Sequence, residues 1–386
     1  MALATATAAP GIQMASPNTT PAGNVPAAGL IPFRKATQRK VELSNTDSVA
    51  LTTALQPFNR VLEGTGYLES IQIEVIGVCA GNAAAVAFVP DGPAAALTSI
   101  VLKDVGPDLI NVSGFNLELS NQYGGYGFRD LGGSIDTLIS SMVVGAVATG
   151  GSFRVVYRIP VALNARSLMG VLGNQDRAVK YELRSDLNAA SGIYATLPTA
   201  LPVITINRTL HYCTVPSAVG PRRQPQQQLP PHYGVVHTLM ELRSEANPVT
   251  ASTVNHYLRS LGNTIRAIIL VFRDSNNLRT DAMLPTRITF RVGSDAVFSE
   301  SSAHRRQVMF DQFGFDSPAG VLVYNFCSDF GPFAGYELGD DWLDTRDVAN
   351  AQFECSYPTF GNSPGSLTII TDSVIIPEGM NVSSLV

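Results

Sequence analysis

The stretch SFRVVYRIPVALNARSLMGVLGNQDRAVKYELRSDLN, Ser152 to Asn188, changes period twice. Phe153, Val155, Tyr157 and Ile159 alternate with Arg154, Val156 and Arg158, the period of two that a strand shows when one sheet face is buried. Pro160 stops that ladder. From Asn164, an N-cap residue type, Ala165, Leu168, Met169 and Leu172 recur at three- and four-residue spacing. Gly173 sits where a C-cap glycine belongs, so the spacing predicts a short amphipathic helix over 164–173. After Asn174-Gln175-Asp176 the alternation returns as Val179, Tyr181 and Leu183 against Lys180, Glu182 and Arg184. The local unit reads strand, helix, strand.

Working outward, alternating segments dominate both halves of the chain. YLESIQIEVIGV (67–78), LTSIVLKDV (97–105) and VITINRTLHYCTV (203–215) flank the opening unit, and turn chemistry at Asp91-Gly92-Pro93 and Gly106-Pro107-Asp108 separates them. In SAVGPRRQPQQQLPPHYG (217–234) the composition turns to Pro, Gln and Arg, which favours extended, polyproline-like backbone and marks a linker. Strands then resume at VVHTLMEL, TIRAIILVF, RITFRV, GVLVYNF, AQFECSY and SLTIITDSVII. The second half repeats the opening unit: RITFRV leads to SESSAHRRQVMFDQFGFDSP, where Ser301 or Ser302 caps a helix through Ala303, Gln307, Val308 and Phe310, and GVLVYNF follows. No sequence identity links the copies; the order strand, helix, strand is what repeats. The predicted fold is all-β, two tandem eight-stranded antiparallel jelly rolls, each with a short inserted helix. The divisions expected are an N-terminal arm over 1–40, a first jelly roll over 41–216, the linker over 217–234, and a second jelly roll with a C-terminal tail over 235–386.

At 386 residues two domains of similar size are the prior. Charged residues make up 15% of the chain and the net charge is −5, which argues against a protein whose main task is to coat nucleic acid, and sequence-specific nucleic-acid binding is not expected. Residues 1–32 hold almost no large apolar side chain and cannot bury enough surface to fold alone. MALATATAAPGIQ lacks the basic and apolar regions of a signal peptide, and no apolar run approaches the roughly 20 residues of a spanning helix. Cys79, Cys213, Cys327 and Cys355 are widely spaced in strand contexts and read as buried free thiols.

The residues that carry chemistry elsewhere do not assemble into a site. His211, His232, His237, His256 and His304 include no HxH or HExxH spacing, and the cysteines no CxxC, so neither a metal nor any other cofactor is expected and no catalytic residues are assigned. His211 and Cys213 share a strand face without a third partner and read as a core pair. GDDWLDTRD (339–347) supplies Asp340, Asp341, Asp344 and Asp347 but lacks the alternate acids, central Gly and terminal Glu of a calcium loop. GGYGFRDLGG (124–133) meets neither nucleotide-loop spacing. The one basic cluster is FRKATQRK, with Arg34, Lys35, Arg39 and Lys40, which either solvates the passage from arm to sandwich or faces an anionic surface on the interior, lipid headgroups or nucleic acid.

Two tandem sandwiches with inserted helices, a Pro-rich linker, an apolar-poor arm and no catalytic constellation resemble the double jelly-roll major capsid proteins of tectivirus-type phages and, more distantly, the adenovirus hexon. FRVVYRIPVALNARSLMGVLGN is similar to that family's strand ending in a [VI]-P element followed by a short helix, and AHRRQVMFDQFGFDSPAGVLVYNF to its second-domain helix and aromatic-rich strand. The resemblance implies a non-enzymatic structural subunit of the virion, assembled in the host cytoplasm. It implies a homotrimer forming a pseudo-hexagonal capsomer that meets neighbouring capsomers and minor capsid or vertex proteins. The icosahedral shell would enclose an internal membrane, touched weakly by this chain, and double-stranded DNA. The alternative is a jelly-roll spike or a receptor- or glycan-binding virion protein, for which Trp342 and Tyr336 would supply an aromatic platform.

Overall fold

The computed structural model describes residues 30–376 apart from 65, 83, 105–107, 125–138, 164–167, 176–180, 235–236, 260, 315, 328–341 and 361–364. Residues 1–29 and 377–386, on which most of the expected arm and tail fall, lie outside the described residues. In the first half the chain forms β1 (Arg39–Ala50), β2 (Gln56–Val61), β3 (Gly66–Val78), β4 (Leu97–Lys103) and β5 (Asp108–Val112). Helix α1 (Gly114–Tyr123) follows, then β6 (Phe153–Pro160), β7 (Glu182–Leu187) and β8 (Val203–Cys213). Antiparallel pairing sets them in two sheets, ordered β1-β8-β3-β6 and β2-β7-β4-β5.

The second half repeats this strand for strand. Its elements are β9 (His237–Ala246), β10 (Ser252–Tyr257), β11 (Thr264–Arg273), β12 (Arg287–Val292), β13 (Asp295–Glu300), helix α2 (Ser302–Phe313), β14 (Val321–Asn325), β15 (Ala351–Tyr357) and β16 (Ser366–Ile375). Their sheets are ordered β9-β16-β11-β14 and β10-β15-β12-β13. Each of these eight strands has its counterpart eight places on, and α1 and α2 each sit between the fifth and sixth of them; short strands such as Ile139–Met142, which pairs with β6, lie outside the repeat. This is the jelly roll, twice. The halves are joined edge to edge: β5 and β9 pair in parallel at Ile110 and Met240, merging one sheet of each half into a nine-stranded sheet.

Period-two burial explains the sandwiches. Ile71, Ile73 and Val75 on β3 and Ile204, Ile206 and Leu210 on β8 are fully buried against Ile100, Leu102 and Leu183 of the facing sheet. Such side chains contribute roughly 1.5–3 kcal/mol each on leaving water. In the second half aromatic rings take over, with Phe298 stacked on Tyr324 at 4.5 Å and Phe290 tilted on Phe353 at 4.7 Å. Helix α2 has the expected ends: the Ser301 hydroxyl accepts from the His304 N–H at 3.1 Å, and Gly314 closes it at φ 76°, a left-handed conformation that glycine adopts without strain.

The helix expected over 164–173 is absent from its described part. Leu168 and Gly170 have φ values of 62° and 81°, the Leu163 N–H turns back to the Met169 carbonyl at 2.9 Å, and Leu172–Asn174 forms a short strand against Gly66, Tyr67 and Leu68. The apolar spacing that mimics a helix instead feeds two clusters. Leu163 and Met169 pack with Cys327, Trp342, Val374 and Ile376 of the second half, while Leu168 and Val171 pack under Phe33. The inserted helix of the first half is α1. The 217–234 segment also differs from an extended spacer: the Gly220 N–H donates to the Gln224 carbonyl and the Arg223 N–H to the Gly220 carbonyl, both at 2.9 Å, closing a tight turn.

Candidate functional site

The basic residues read from the sequence lie together at one end of the first jelly roll. Phe33–Ala36 is a single helical turn carrying Arg34 and Lys35. Phe33 anchors it, buried and edge-on to Tyr67 at 5.0 Å within a cluster that includes Leu168, Val171 and Cys213. The folded-back linker holds it from the side: the Ile31 N–H donates to the Pro225 carbonyl at 3.0 Å and the Gln227 N–H to the Ile31 carbonyl at 2.9 Å. Arg39 and Lys40 open β1. Lys35, Arg39 and Lys40 are exposed and Arg34 is half-buried, but Arg39 is already matched, its Nε lying 2.9 Å from Glu69 Oε2.

Glu69, largely buried, also accepts a long hydrogen bond from the Cys213 thiol at 3.9 Å. Burial, with Glu69 beside it, pushes that thiol up to about 11. Burial and the neighbouring Arg158 lower the pKa of His211 against the pull of Glu69. The thiol stays protonated and the imidazole neutral, so His211 and Cys213 cannot form the thiolate–imidazolium pair of a cysteine nucleophile. All four cysteines are free and buried, and burial carries Cys355 up to about 12. Among the described residues no three His, Cys, Asp or Glu side chains gather as metal ligands.

Other candidates resolve structurally. Asp344 is bound by Arg346, whose Nε lies 2.9 and 3.1 Å from its two oxygens, while Asp340 and Asp341 lie outside the described residues. Trp342 is buried, with the Arg266 guanidinium 5.8 Å from its ring centroid, so it presents no aromatic platform; Tyr336 lies outside the described residues. His256, buried, bridges Glu245 at 2.5 Å and the Tyr357 hydroxyl at 2.9 Å and ties the two sheets of the second jelly roll.

The sequence reading missed the joint between the jelly rolls. Asp91 of the first half takes both Arg273 and Arg279 of the second, the latter with its Nε 2.5 Å from Oδ1. Both guanidinium groups lie over the Phe115 ring of α1, at 5.4 and 4.8 Å from its centroid. Tyr123, at the end of α1, meets Phe313 of α2 edge-on at 5.0 Å and donates to the Ser317 hydroxyl at 3.3 Å. One turn beyond Phe115, Glu118 is buried beside this cluster.

No family model matches the chain, and no curated protein sequence matches it significantly. Solved structures do match. A structure described as the atomic structure of Sulfolobus turreted icosahedral virus aligns with TM-score 0.62 at 13% identity, over 88% of this chain and 91% of that one. The major capsid protein P2 of bacteriophage PM2 aligns with TM-score 0.53 at 10% identity, over 89% and 99%. A chain of the PBCV-1 virus capsid aligns with TM-score 0.55 at 11% identity, over 88% and 93%. The alignments cover most of this chain and of each of the others, and the chain has the double jelly-roll fold of these capsid proteins.

Proposed function

We propose that the protein is the major capsid protein of an icosahedral virus, a structural subunit without catalytic activity whose three copies make a pseudo-hexagonal capsomer. The observation that carries this reading is the strand-for-strand repeat. Two equivalent jelly rolls fused edge to edge give one chain two of the six positions of a hexagonal tile, and the solved structures of like fold belong to virus capsids. The burial of Trp342 removes the feature that favoured a glycan-binding role. Closed rotational symmetry around three such units satisfies every heterologous edge. Sedimentation of the purified protein at micromolar concentration is expected to give three times the 41.1 kDa chain mass, persisting on dilution. A stable monomer or dimer overturns the capsomer.

In this reading the basic end is the interior one and makes the weak contact with an internal membrane, while neighbouring capsomers and minor or vertex proteins occupy the flanks. Arg34, Lys35 and Lys40 supply the attraction, at about 1 kcal/mol per basic residue near an anionic surface. The double variant Arg34→Glu/Lys35→Glu is expected to lower co-sedimentation with phosphatidylglycerol vesicles at least tenfold and to leave trimer mass unchanged. Equal vesicle binding by the variant removes the cluster from this role.

A further inference from the structure

A cavity of about 580 Å³ opens beside the strand pair that joins the jelly rolls, a size that takes a small organic molecule. β5 contributes Asp108, β9 Glu241 and Arg243, β16 Ile369, and the chain just beyond β10 Leu258 and Arg259. Neither jelly roll builds it alone. Two of its charged groups are already matched. Arg243 donates to the Tyr257 carbonyl and pairs with Glu245, which also takes His256 Nδ1 at 2.5 Å. Asp108 holds Lys103 Nζ at 3.5 Å and accepts from the Asn111 amide at 3.1 Å. Glu241, half-buried, and Arg259, exposed, have no hydrogen bond or ion pair among the described residues. We propose that the cavity binds a zwitterion whose ammonium and carboxylate are separated by a short aliphatic chain, the ammonium on Glu241 and the carboxylate on Arg259. This goes beyond the capsid reading and does not depend on it.

The pattern of matched and unmatched charge selects this ligand class. Glu241, Arg243 and Glu245 follow one another along one face of β9, so Arg243 could serve either carboxylate; it is turned to Glu245 and to the backbone of β10. Glu241 is left to pay for its burial without a cation, and that burial raises its pKa with no charge opposing it. A ligand ammonium supplies the missing partner. Arg259 offers the planar fork that takes a carboxylate through two parallel hydrogen bonds. Leu258 and Ile369, both buried, give the intervening methylenes an apolar wall. A simple amine would satisfy Glu241 but meet Arg243 and Arg259, and a simple carboxylate would satisfy Arg259 but meet Glu241 and Asp108. With Asp108 and Glu241 set against Arg243 and Arg259, the lining favours a ligand that carries both signs and no net charge.

Titration calorimetry on the full-length protein tests it with 4-aminobutyrate, 6-aminohexanoate and 8-aminooctanoate as probes, and with hexylamine and hexanoate as single-charge controls. One of the three zwitterions is expected to bind about tenfold more tightly than either control, because each control forfeits one charge-assisted contact. Glu241→Gln and Arg259→Gln keep side-chain size and remove one charge each, and each is expected to weaken that zwitterion about tenfold. Thermal midpoints and sedimentation of the two variants should match those of the wild type, which separates loss of the site from loss of the fold. Absence of binding by all three zwitterions, equal binding by a control, or full binding by either variant overturns the site. None of these outcomes bears on the capsomer, which the sedimentation mass tests separately.

Discussion

Replacing Asp47 by Ala is expected to destabilise the first jelly roll by about 3–5 kcal/mol, because it strands a buried positive charge. Arg208 occupies an inward position of β8, between Ile206 and Leu210 on the same face, and is fully buried. Its guanidinium donates to Asp47 Oδ2 at 2.5 Å, Asn45 Oδ1 at 2.9 Å and the Ser185 hydroxyl at 3.1 Å, linking β1, β8 and β7 across the sandwich. Arg60 reaches the same carboxylate from β2. Burial alone would raise the Asp47 pKa, but hydrogen bonds from Arg60 and Arg208 outweigh it and hold the carboxyl below its ordinary value. A depressed carboxyl contributes stability that is present above its unfolded pKa and is lost as pH falls through the folded one, so this network weakens below about pH 4. Arg208→Met removes the charge and its need for a partner together and is expected to be near neutral or stabilising. Urea midpoints at one protein concentration, followed by circular dichroism, compare the two variants. If Asp47→Ala and Arg208→Met are equally harmful, packing rather than the stranded charge controls the site.

The two jelly rolls were legible because most of their strands bury one face, which writes a period of two into VITINRTLHYC and AQFECSY. Helix α2 was legible because it lies half in solvent and is capped by serine and glycine. Helix α1 was not. Phe115, Leu117 and Leu119 share burial with Asn116, Glu118, Ser120 and Asn121, so polar and apolar residues fall on every side of it and no stripe shows. Its one local signal was the Ser113 cap, whose hydroxyl accepts from the Asn116 N–H at 3.3 Å. The residues at 164–173 erred the other way, because two separate clusters drew apolar side chains at intervals of three and four from an irregular loop. Asp91, Arg273 and Arg279 left no trace because their meaning arises between domains.

Glu118→Gln is expected to stabilise the protein by up to about 3 kcal/mol at pH 8 and to leave it almost unchanged near pH 4.5. Glu118 projects from α1 into the joint between the jelly rolls, 6% exposed, where Asp91 binds Arg273 and Arg279. Burial pushes its pKa up to about 7; Arg279 opposes this and Asp91 adds to it. The folded protein therefore keeps a proton that the unfolded chain releases near 4.5. Between those two values the native state binds more protons than the unfolded state, so stability falls as pH rises through the window and the loss is complete above it. A difference of about two and a half units corresponds to roughly 3 kcal/mol. Glutamine keeps the shape and cannot ionise, so the variant should lack this part of the pH dependence. Tyr157, whose pKa is raised first by burial and then by the charge of Glu118, does not titrate in the same window. Thermal midpoints of wild type and variant, taken at equal concentration from pH 4.5 to 8, should diverge as pH rises. Parallel curves would mean that the carboxyl ionises without penalty at the joint, with Arg279 supplying the compensation that the buried geometry otherwise withholds.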